Sequence, residues 1–375
     1  MWRIGTCEYD LSTFNHPGGL EVIQRCKDTD CTELFESHHL NLRRALATIR
    51  KYRVSGNDTE SQCSFYSVLR DRVHMLLGRN TGPTWNCVVV FWCCLGLFAG
   101  SWMMSITDGS LPWCISTGLL GAVIGAFGHN WVHQPRYRSW AVVSLDTVGL
   151  SSYDWVKDHN MLHHMYTNTA QDPHLDGTEP FFRTNPARKR TFIHKLTAYI
   201  FPIVLSFGIF VNYIIHFSEI LQGIKPLRPE KFIFLFQFGA MVASHGLYGA
   251  LWRMYIIFGC ISVWYFTLAL MNHNTDSSVN VQRRETGRDW GEKQLYSCSD
   301  FGTGASFLGS VPYLWLNFHT VHHLFPSVDM SHHPAIQTIL VKTAREFGVR
   351  YDTIPVCTAL SQMVNNFANT PRRCE

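Results

Sequence analysis

Five long stretches without a charged residue dominate this sequence and limit what it can fold into. They run from Asn80 to Thr107, Gly109 to Pro135, Leu196 to Ser218, Phe232 to Trp252 and Met254 to Thr275. Each exceeds the roughly 18–20 apolar residues that a helix needs to cross a bilayer, and helices in soluble cores seldom run so far without a charge. The sequence therefore predicts an integral membrane protein.

The charges between these stretches predict their orientation. The region between the second and third stretches holds eight Lys and Arg residues, which are enriched in cytoplasmic loops, so we expect this region and both termini to be cytoplasmic. The third stretch, which Pro202 interrupts, should lie at or partly in the membrane without crossing it. The last two should form a hairpin that turns around Leu251 and Arg253. Four crossings follow, near residues 84–106, 112–131, 232–250 and 254–272.

Composition excludes two other kinds of site. The chain has 32 Lys and Arg against 28 Asp and Glu, and the basic residues are scattered, so nucleic acid is not an expected partner. Its 12 cysteines include no Cys-x-x-Cys pair, so a structural zinc site is not expected either. The unusual residue is histidine, which occurs 19 times.

Nine of these histidines fall into clusters near the predicted membrane segments. His129 and His133 are four residues apart at the end of the second stretch, which places them on one face of a helix. His319, His322 and His323 have the spacing i, i+3 and i+4, so they also lie on one face of a helix. By the predicted topology all nine lie on the cytoplasmic side of the membrane. The full set is His129, His133, His159, His163, His164, His273, His319, His322 and His323.

Nine imidazoles indicate a site for more than one metal ion. Neutral imidazole binds iron, copper, nickel and zinc, and zinc sites use only about three or four protein ligands. Nine nitrogen ligands suit two metal ions with open positions, and we expect iron before copper because such a site binds oxygen. Carboxylates should hold the rings by their free N–H groups. The nearest candidates are Asp154, Asp158, Asp172 and Asp276.

The first sixty residues carry a separate pair of histidines. His16 opens a His-Pro-Gly-Gly turn, whose glycines permit backbone angles that other residues avoid. His39 lies downstream of this turn. One histidine on each side of a haem is a common way to build an electron-transfer site, so the pair predicts a haem. The segment from Ser55 to Glu60 is typical of a linker and ends this part of the chain.

These motifs resemble those of known families. The segment YDLSTFNHPGG followed by FESHH resembles the haem-binding core of cytochrome b5. Three histidine boxes resemble those of membrane fatty-acid desaturases: box one is His129–His133, box two is His159–His164 and box three is His319–His323. The chain from Trp2 to about Phe367 is similar to front-end desaturases fused to cytochrome b5. It is also similar to cytochrome b5-related proteins, in which runs such as GHNWVHQ, HNMLHHMYTNT and FHTVHHLFP recur in similar form.

The resemblance implies a fold that is mainly α-helical. Residues 56–375 would form an integral membrane desaturase domain with four membrane helices and a cytosolic helical cap that holds a diiron site. Residues 1–55 would form a small α+β cytochrome b5-like domain, which we expect to be truncated at its N-terminus. The nine clustered histidines would bind two iron ions. His16 and His39 would be the axial ligands of haem b, with His38 as the competing choice for the second position.

The implied activity is the oxygen-dependent desaturation of an acyl chain in a membrane lipid or an acyl-CoA. Electrons would come from an NADH-dependent cytochrome b5 reductase or another donor through the fused haem domain, at the endoplasmic reticulum. An apolar tunnel should lead to the metals. Its expected lining is Met161, Met165, Tyr166, Phe181, Phe182 and Phe318.

Three departures leave the position of the double bond open. Box two has three residues between His159 and His163, so on a straight helix its rings span roughly 140°, against roughly 100° in box three. Box three begins with His319 where front-end enzymes usually have Gln, and Asn130 replaces a common Asp in box one. A lipid hydroxylase with the same diiron site and a catalytically inactive haem or scaffold protein remain as alternatives.

Overall fold

The computed structural model of this chain describes residues 1–57, 63–279 and 289–369. Residues 58–60 of the predicted linker lie outside these ranges. The protein is mainly helical, with a small antiparallel sheet at its N-terminus. That sheet and the helices that follow it form one unit, and the apolar helices form another.

The N-terminal unit is a three-stranded sheet covered by three short helices. The strands β1 (Trp2–Ile4), β2 (Cys7–Tyr9) and β3 (Arg53–Ser55) pair in that order, with Trp2 opposite Tyr9. Alternate residues of β1 and β2 point inward and form a core of their own, as expected for a sheet with one buried face. The helices are α1 (Leu20–Arg25), α2 (Thr32–His38) and α3 (Leu42–Ile49).

Capped helices begin the apolar part. Ser64 caps α4 (Phe65–Leu77), and Thr84 caps α5 (Trp85–Thr107) by accepting a hydrogen bond from a backbone N–H of the first turn. A short loop leads to α6 (Leu111–Trp131), the helix that carries box one at its end. These are followed by α7 (Arg138–Thr147) and α8 (Ser152–Asp154), which continues into box two and α9 (His164–Tyr166).

The third apolar stretch is not one continuous helix. It forms α10 (Phe192–Tyr199), α11 (Phe201–Leu205) and α12 (Gly208–Leu221). Near one end of this segment, His194 bonds to Glu179. Near the other end, His216 pairs with Asp154, which directly precedes the helix of box two. The middle of the segment contacts the long apolar helix that follows, where the Ser206 hydroxyl lies 3.0 Å from that of Tyr255.

The last two apolar stretches form α13 (Phe232–His273), which is broken at Gly246. The rings of Phe234 and Phe258 are 4.9 Å apart, which a straight helix cannot allow for residues 24 positions apart, so the two limbs fold back on each other. The predicted hairpin is present, but its turn is at Gly246 and not around Leu251 and Arg253. The predicted segments 232–250 and 254–272 are therefore wrong at this turn, because the break needs a φ of 66°, which glycine adopts readily.

By length and composition, four helices of the described residues could cross a membrane. They are Trp85–Thr107, Leu111–Trp131, Phe201–Leu221 and Pro229–His273, the last of which contains the break. Helices α6 and α13 pack closely at Gly118, where a Cβ would lie only 2.6 Å from the Ile257 carbonyl of α13. This close approach brings the end of α6 next to the end of α13.

The remaining elements close the site from the other side. They are α14 (Trp290–Ser297), α15 (His319–Leu324), α16 (His333–Phe347) and α17 (Val356–Asn369), with β4 (Asp300–Phe301) parallel to β5 (Thr353–Ile354). Apolar residues of α4, α14, α15 and α16 share one core. This core fixes box three, which is the whole of α15 except its last residue, against the ends of the membrane helices.

Candidate metal centre

All nine clustered histidines meet in one place. Eight of them form two groups in which one nitrogen from each ring lies within 4.8 Å of the others. The ninth, His164, lies between the groups: its Nε2 is 3.1 Å from that of His159, and its ring is stacked 4.2 Å from that of His323. The first group is His129, His133, His159 and His322, and the second is His163, His273, His319 and His323.

The spacing of the ring nitrogens fits metal ligation. The Nε2 atoms of His129 and His159 are 2.8 Å apart, and those of His273 and His319 are 2.9 Å apart. Neighbouring ligands on one metal, each at about 2.1 Å, lie roughly 3 Å from each other. Each group therefore has the dimensions of one metal site, and both use boxes from different parts of the chain.

Burial keeps the rings ready to bind a metal. It lowers the pKa of His159, His164 and His322 far below the ordinary value, so these imidazoles are neutral and keep a lone pair. Both ring nitrogens of His133 and the Nε2 of His322 are buried without a hydrogen-bond partner. Unpaired buried polar atoms are rare, and a metal ion would satisfy them. The residues present thus fit two metal ions.

Box two reaches the centre because its helix is wound more widely than an α-helix. Trp155–His163 is a π-helix, and the backbone N–H of His164 donates to the carbonyl of His159, five residues earlier. Residues five apart in such a turn lie one above the other, so the rings of His159 and His164 converge. The arc of roughly 140° expected on a straight helix does not apply, since the wider winding takes up the extra residue.

A carboxylate and an amide hold rings of the second group. Asp172 lies 2.9–3.0 Å from Nδ1 of His163, and Gln294 Oε1 lies 3.1 Å from Nδ1 of His323. Burial alone would raise the pKa of Asp172, but contact with His163 outweighs it and holds that pKa below its usual range. These bonds leave the opposite nitrogen of each ring free for a metal.

The other three predicted carboxylates have different partners. Asp154 pairs with His216 and Lys225, Asp158 lies 3.9 Å from Lys157, and Asp276 accepts a hydrogen bond from Asn366. They lie close to the boxes in sequence, which is why they were candidates, but the fold turns them towards other groups. Gln294 was not predicted, because nothing near it in sequence marks it.

Two more unpredicted acids position the boxes through the backbone and the helix ends. Asp300 Oδ1 accepts the N–H of Thr320 at 2.8 Å and so fixes the start of box three. Burial raises the pKa of Asp300 to about 6, and the Tyr351 hydroxyl donates to its other oxygen at 2.5 Å. Asp329 accepts the indole N–H of Trp131 at 2.9 Å, between the two histidines of box one. Neither acid has a local sequence signal.

A cavity of about 350 Å³ opens beside the histidines. Its apolar wall includes Trp155, Tyr265, Phe266 and Leu270, and histidines from both groups reach it. His174 also lines it, stacked 4.6 Å from His163. The predicted tunnel lining was wrong. Of the six residues named, Met161, Met165, Phe182 and Phe318 pack in neighbouring cores, whereas Tyr166 and Phe181 are exposed.

The N-terminal pair of histidines also comes together. The rings of His16 and His39 face each other edge to face at 5.9 Å, and burial lowers the pKa of His16 to about 4, so it is neutral. His39 donates from Nδ1 to the Phe35 carbonyl, which leaves its Nε2 free. His16 instead accepts the N–H of Gly18 at Nδ1. To bind a haem through Nε2, His16 must carry its proton on Nδ1, which gives up the hydrogen bond from the Gly18 N–H. The ring of His38 lies instead next to that of His133.

Comparison with known proteins agrees with this site. Residues 109–355 match the family model of the fatty acid desaturases, and the chain belongs to this family. Relatives include an acyl-lipid (8-3)-desaturase of Physcomitrium patens and a cytochrome b5-related protein of Drosophila melanogaster. Each is 26% identical and covers 92% of this chain and 83% of its own length. A chloroplastic acyl-lipid (7-3)-desaturase of Chlamydomonas reinhardtii is 24% identical and covers 92% of this chain and 76% of its own length.

Membership in the family confirms the predicted class of activity. The chain is an oxygen-dependent oxidoreductase of the acyl-lipid desaturase type. The family implies a diiron centre, a lipid substrate and O2, and the two histidine groups could bind metal. The four candidate membrane helices agree with an integral membrane protein.

Proposed function

We propose that this protein desaturates an acyl chain next to two iron ions held by the nine clustered histidines. The observation that carries the proposal is the meeting of nine buried histidines from four parts of the chain beside an apolar cavity. The ligands of one iron would be His129, His133, His159 and His322, those of the other would be His163, His273, His319 and His323, and His164 would complete the set.

The residues around the centre would bind the acyl chain and orient the histidine rings. When bound, the iron pair would supply the oxidation, in which O2, two electrons and two protons take one hydrogen from each of two neighbouring carbons and leave a double bond and two water molecules. Trp155, Tyr265 and Phe266 would hold the chain in the cavity and exclude bulk water from it. Asp172 would fix the tautomer and orientation of His163.

The proposed membrane arrangement has four crossings: α5, α6 and the two limbs of α13. The turn at Gly246 supports it. On either side of this turn, His245 bonds to the Ser105 carbonyl in the last turn of α5, and Arg253 donates to the Gly109 carbonyl in the loop before α6, at the end of α6 opposite His129. Helices α10 to α12 would enter and return on the histidine side. That side and both termini would be cytoplasmic, at the endoplasmic reticulum.

The N-terminal unit would deliver electrons. Residues 1–55 would form a cytochrome b5-like domain and residues 56–375 the desaturase domain. His16 and His39 would bind haem b, and the electron source would be an NADH-dependent cytochrome b5 reductase or another donor. The support is the pair of facing neutral rings and the similarity to a protein named cytochrome b5-related.

Lipid profiling of cells that express the protein tests the proposal. Wild type and a His74→Ala control, altered outside both sites, should produce acyl chains with a new double bond. The double variant His322→Ala, His323→Ala should produce none. Hydroxylated chains without new unsaturation would identify a hydroxylase instead, and an unchanged profile for wild type would indicate an inactive scaffold.

A further inference from the structure

The N-terminal domain is docked against the part of the molecule that carries the metal centre. Arg138 donates to the Gly18 carbonyl at 2.9 Å, and Arg70 donates to Glu36 at 3.0 Å. The side chain of Arg70 is only 4% exposed, whereas that of Glu36 is 34% exposed. Met161 of box two packs against the core of the N-terminal domain. The contacts come from three separate segments, which indicates one fixed orientation.

This docking places His38 beside the metal centre. His38 ends α2, and its Nδ1 bonds to the Leu34 carbonyl at 3.1 Å, which fixes the ring. The ring lies 6.1 Å from that of His133, with the planes tilted by 36°. His133 is a proposed iron ligand, and the residue after His38 is the proposed haem ligand His39. One peptide link and one ring contact therefore join the two sites.

We propose that His38 is the electron-transfer contact between the haem site and the metal centre. This inference rests on the proposed function and adds the route by which electrons arrive. The path runs from the ring of His39 through the peptide link to His38 and then across the ring contact to His133. Each transfer through His38 moves one electron, oxidising a ferrous haem to ferric and adding that electron to the metal pair, with no bond made or broken.

The route needs an external reductant and a fixed domain. The reductant is a flavoprotein that oxidises a reduced pyridine nucleotide and returns the haem to the ferrous state. Because the domain is already docked, transfer through His38 needs no dissociation or rotation of the domain. The ring of His38 then matters for its position, since without it the through-space step from residue 38 to the ring of His133 becomes longer.

Reoxidation of the haem measures this route directly. The full-length protein, in detergent and loaded with haem and iron, is reduced anaerobically with NADH and cytochrome b5 reductase and then mixed with O2 and lipid. The His38→Leu variant should reoxidise its haem several-fold more slowly than wild type. Its haem spectrum, haem content and iron content should be unchanged, and the His74→Leu control should behave as wild type.

A second arm separates this inference from the proposed function. Supplied with dithionite and a small viologen mediator, which reduce the metals without the domain, the His38→Leu variant should form as much unsaturated product as wild type. Wild-type reoxidation rates in His38→Leu, or a wild-type protein without haem absorbance, would overturn the inference but not desaturation. Failure of wild type to form product with the mediator would instead overturn the proposed function.

A structural role for His38 has its own signature. If both His38→Leu and the ring-preserving His38→Phe lose haem or iron, the residue supports folding and the inference is wrong. If His38→Phe keeps haem and iron and reoxidises faster than His38→Leu, the ring contact itself carries the effect.

Discussion

Boxes two and three bring three histidines each to the same centre by different means. Box three has the spacing i, i+3 and i+4 and lies on an ordinary α-helix, His319–Leu324. Box two has one residue more between its first two histidines and lies on a π-helix, Trp155–His163. The Nε2 of His323 lies 3.1 Å from that of His319, and the Nε2 of His164 lies 3.1 Å from that of His159.

In box two the winding of the backbone therefore compensates for the different spacing of the histidines. A π-turn costs hydrogen-bond geometry and is rare outside functional sites, so it persists only when the surroundings support it. Around box two that support comes from Asn160, whose side chain bonds to the Val132 carbonyl, and from Met161, which packs on the N-terminal domain. Box three lies on a regular α-helix, so its surroundings do not have to stabilise an unusual winding.

Single-residue deletions in the two boxes should have the largest effects on iron content and activity, and these effects should differ between the boxes. Deleting Leu162 gives box two the spacing of box three, so an α-helix can replace the π-turn, and we expect most of the iron and activity to remain. Deleting Thr320 gives box three a spacing that no regular helix can align, and we expect both to be lost. Iron analysis and lipid profiling check this.

The reverse result is informative too. If the variant without Leu162 loses iron as completely as the variant without Thr320, the π-helix is required in its own right and does not merely absorb an extra residue.

Removing the negative charge that holds His163 of box two should have the next largest effect on iron affinity. Asp172→Asn keeps the shape of the side chain but removes the negative charge that orients His163, and we expect iron affinity to fall by about 10–100-fold. Chelator competition on the purified protein measures this affinity. Asp176→Asn, which removes a half-exposed carboxylate paired with Arg188, is the matched control and should leave the affinity unchanged.

The neutral support of box three should matter less. Gln294→Met keeps the length of the side chain but removes the oxygen 3.1 Å from Nδ1 of His323. Because no charge is lost, we expect the iron affinity to fall by about tenfold or less, below the effect of Asp172→Asn. A larger loss in Gln294→Met, measured by the same competition, would mean that the amide holds the centre more firmly than the carboxylate.

The smallest effect should come from the anchor of box three. Tyr351→Phe removes the hydroxyl that donates to buried Asp300, and we expect the free energy of unfolding to fall by about 1–3 kcal/mol. Iron affinity should change little, since Asp300 still accepts the N–H of Thr320. Thermal unfolding in detergent measures the first quantity. Tyr248→Phe, at a side chain exposed to 87%, is the control and should be neutral.

The sequence showed which histidines come together, because those with helical spacing share one face of a helix, while their role as iron ligands stays a prediction. It could not reveal the π-helix, since that winding depends on contacts of Asn160 and Met161 with distant parts of the chain. The charge of Arg253 between two apolar stretches pointed to a turn around Leu251 and Arg253, but the chain turns where Gly246 can adopt a positive φ. Interruptions in hydropathy and breaks in a helix have different physical causes.

The supporting residues were the hardest to predict. Asp172 follows box two closely and was a candidate, whereas Gln294 and Asp300 reach box three only through the fold. The tunnel lining failed for a related reason. Aromatic residues such as Phe182, and Phe318 directly before box three, are as suitable for a core as for a cavity, and here they pack in cores.

Metal analysis of the purified full-length protein tests the central claim most directly. The account predicts about two iron ions per chain in wild type, one for each group of four histidines, and close to none in the His322→Ala, His323→Ala variant. A wild-type protein that holds a single metal ion, zinc in place of iron, or no metal at all would contradict it.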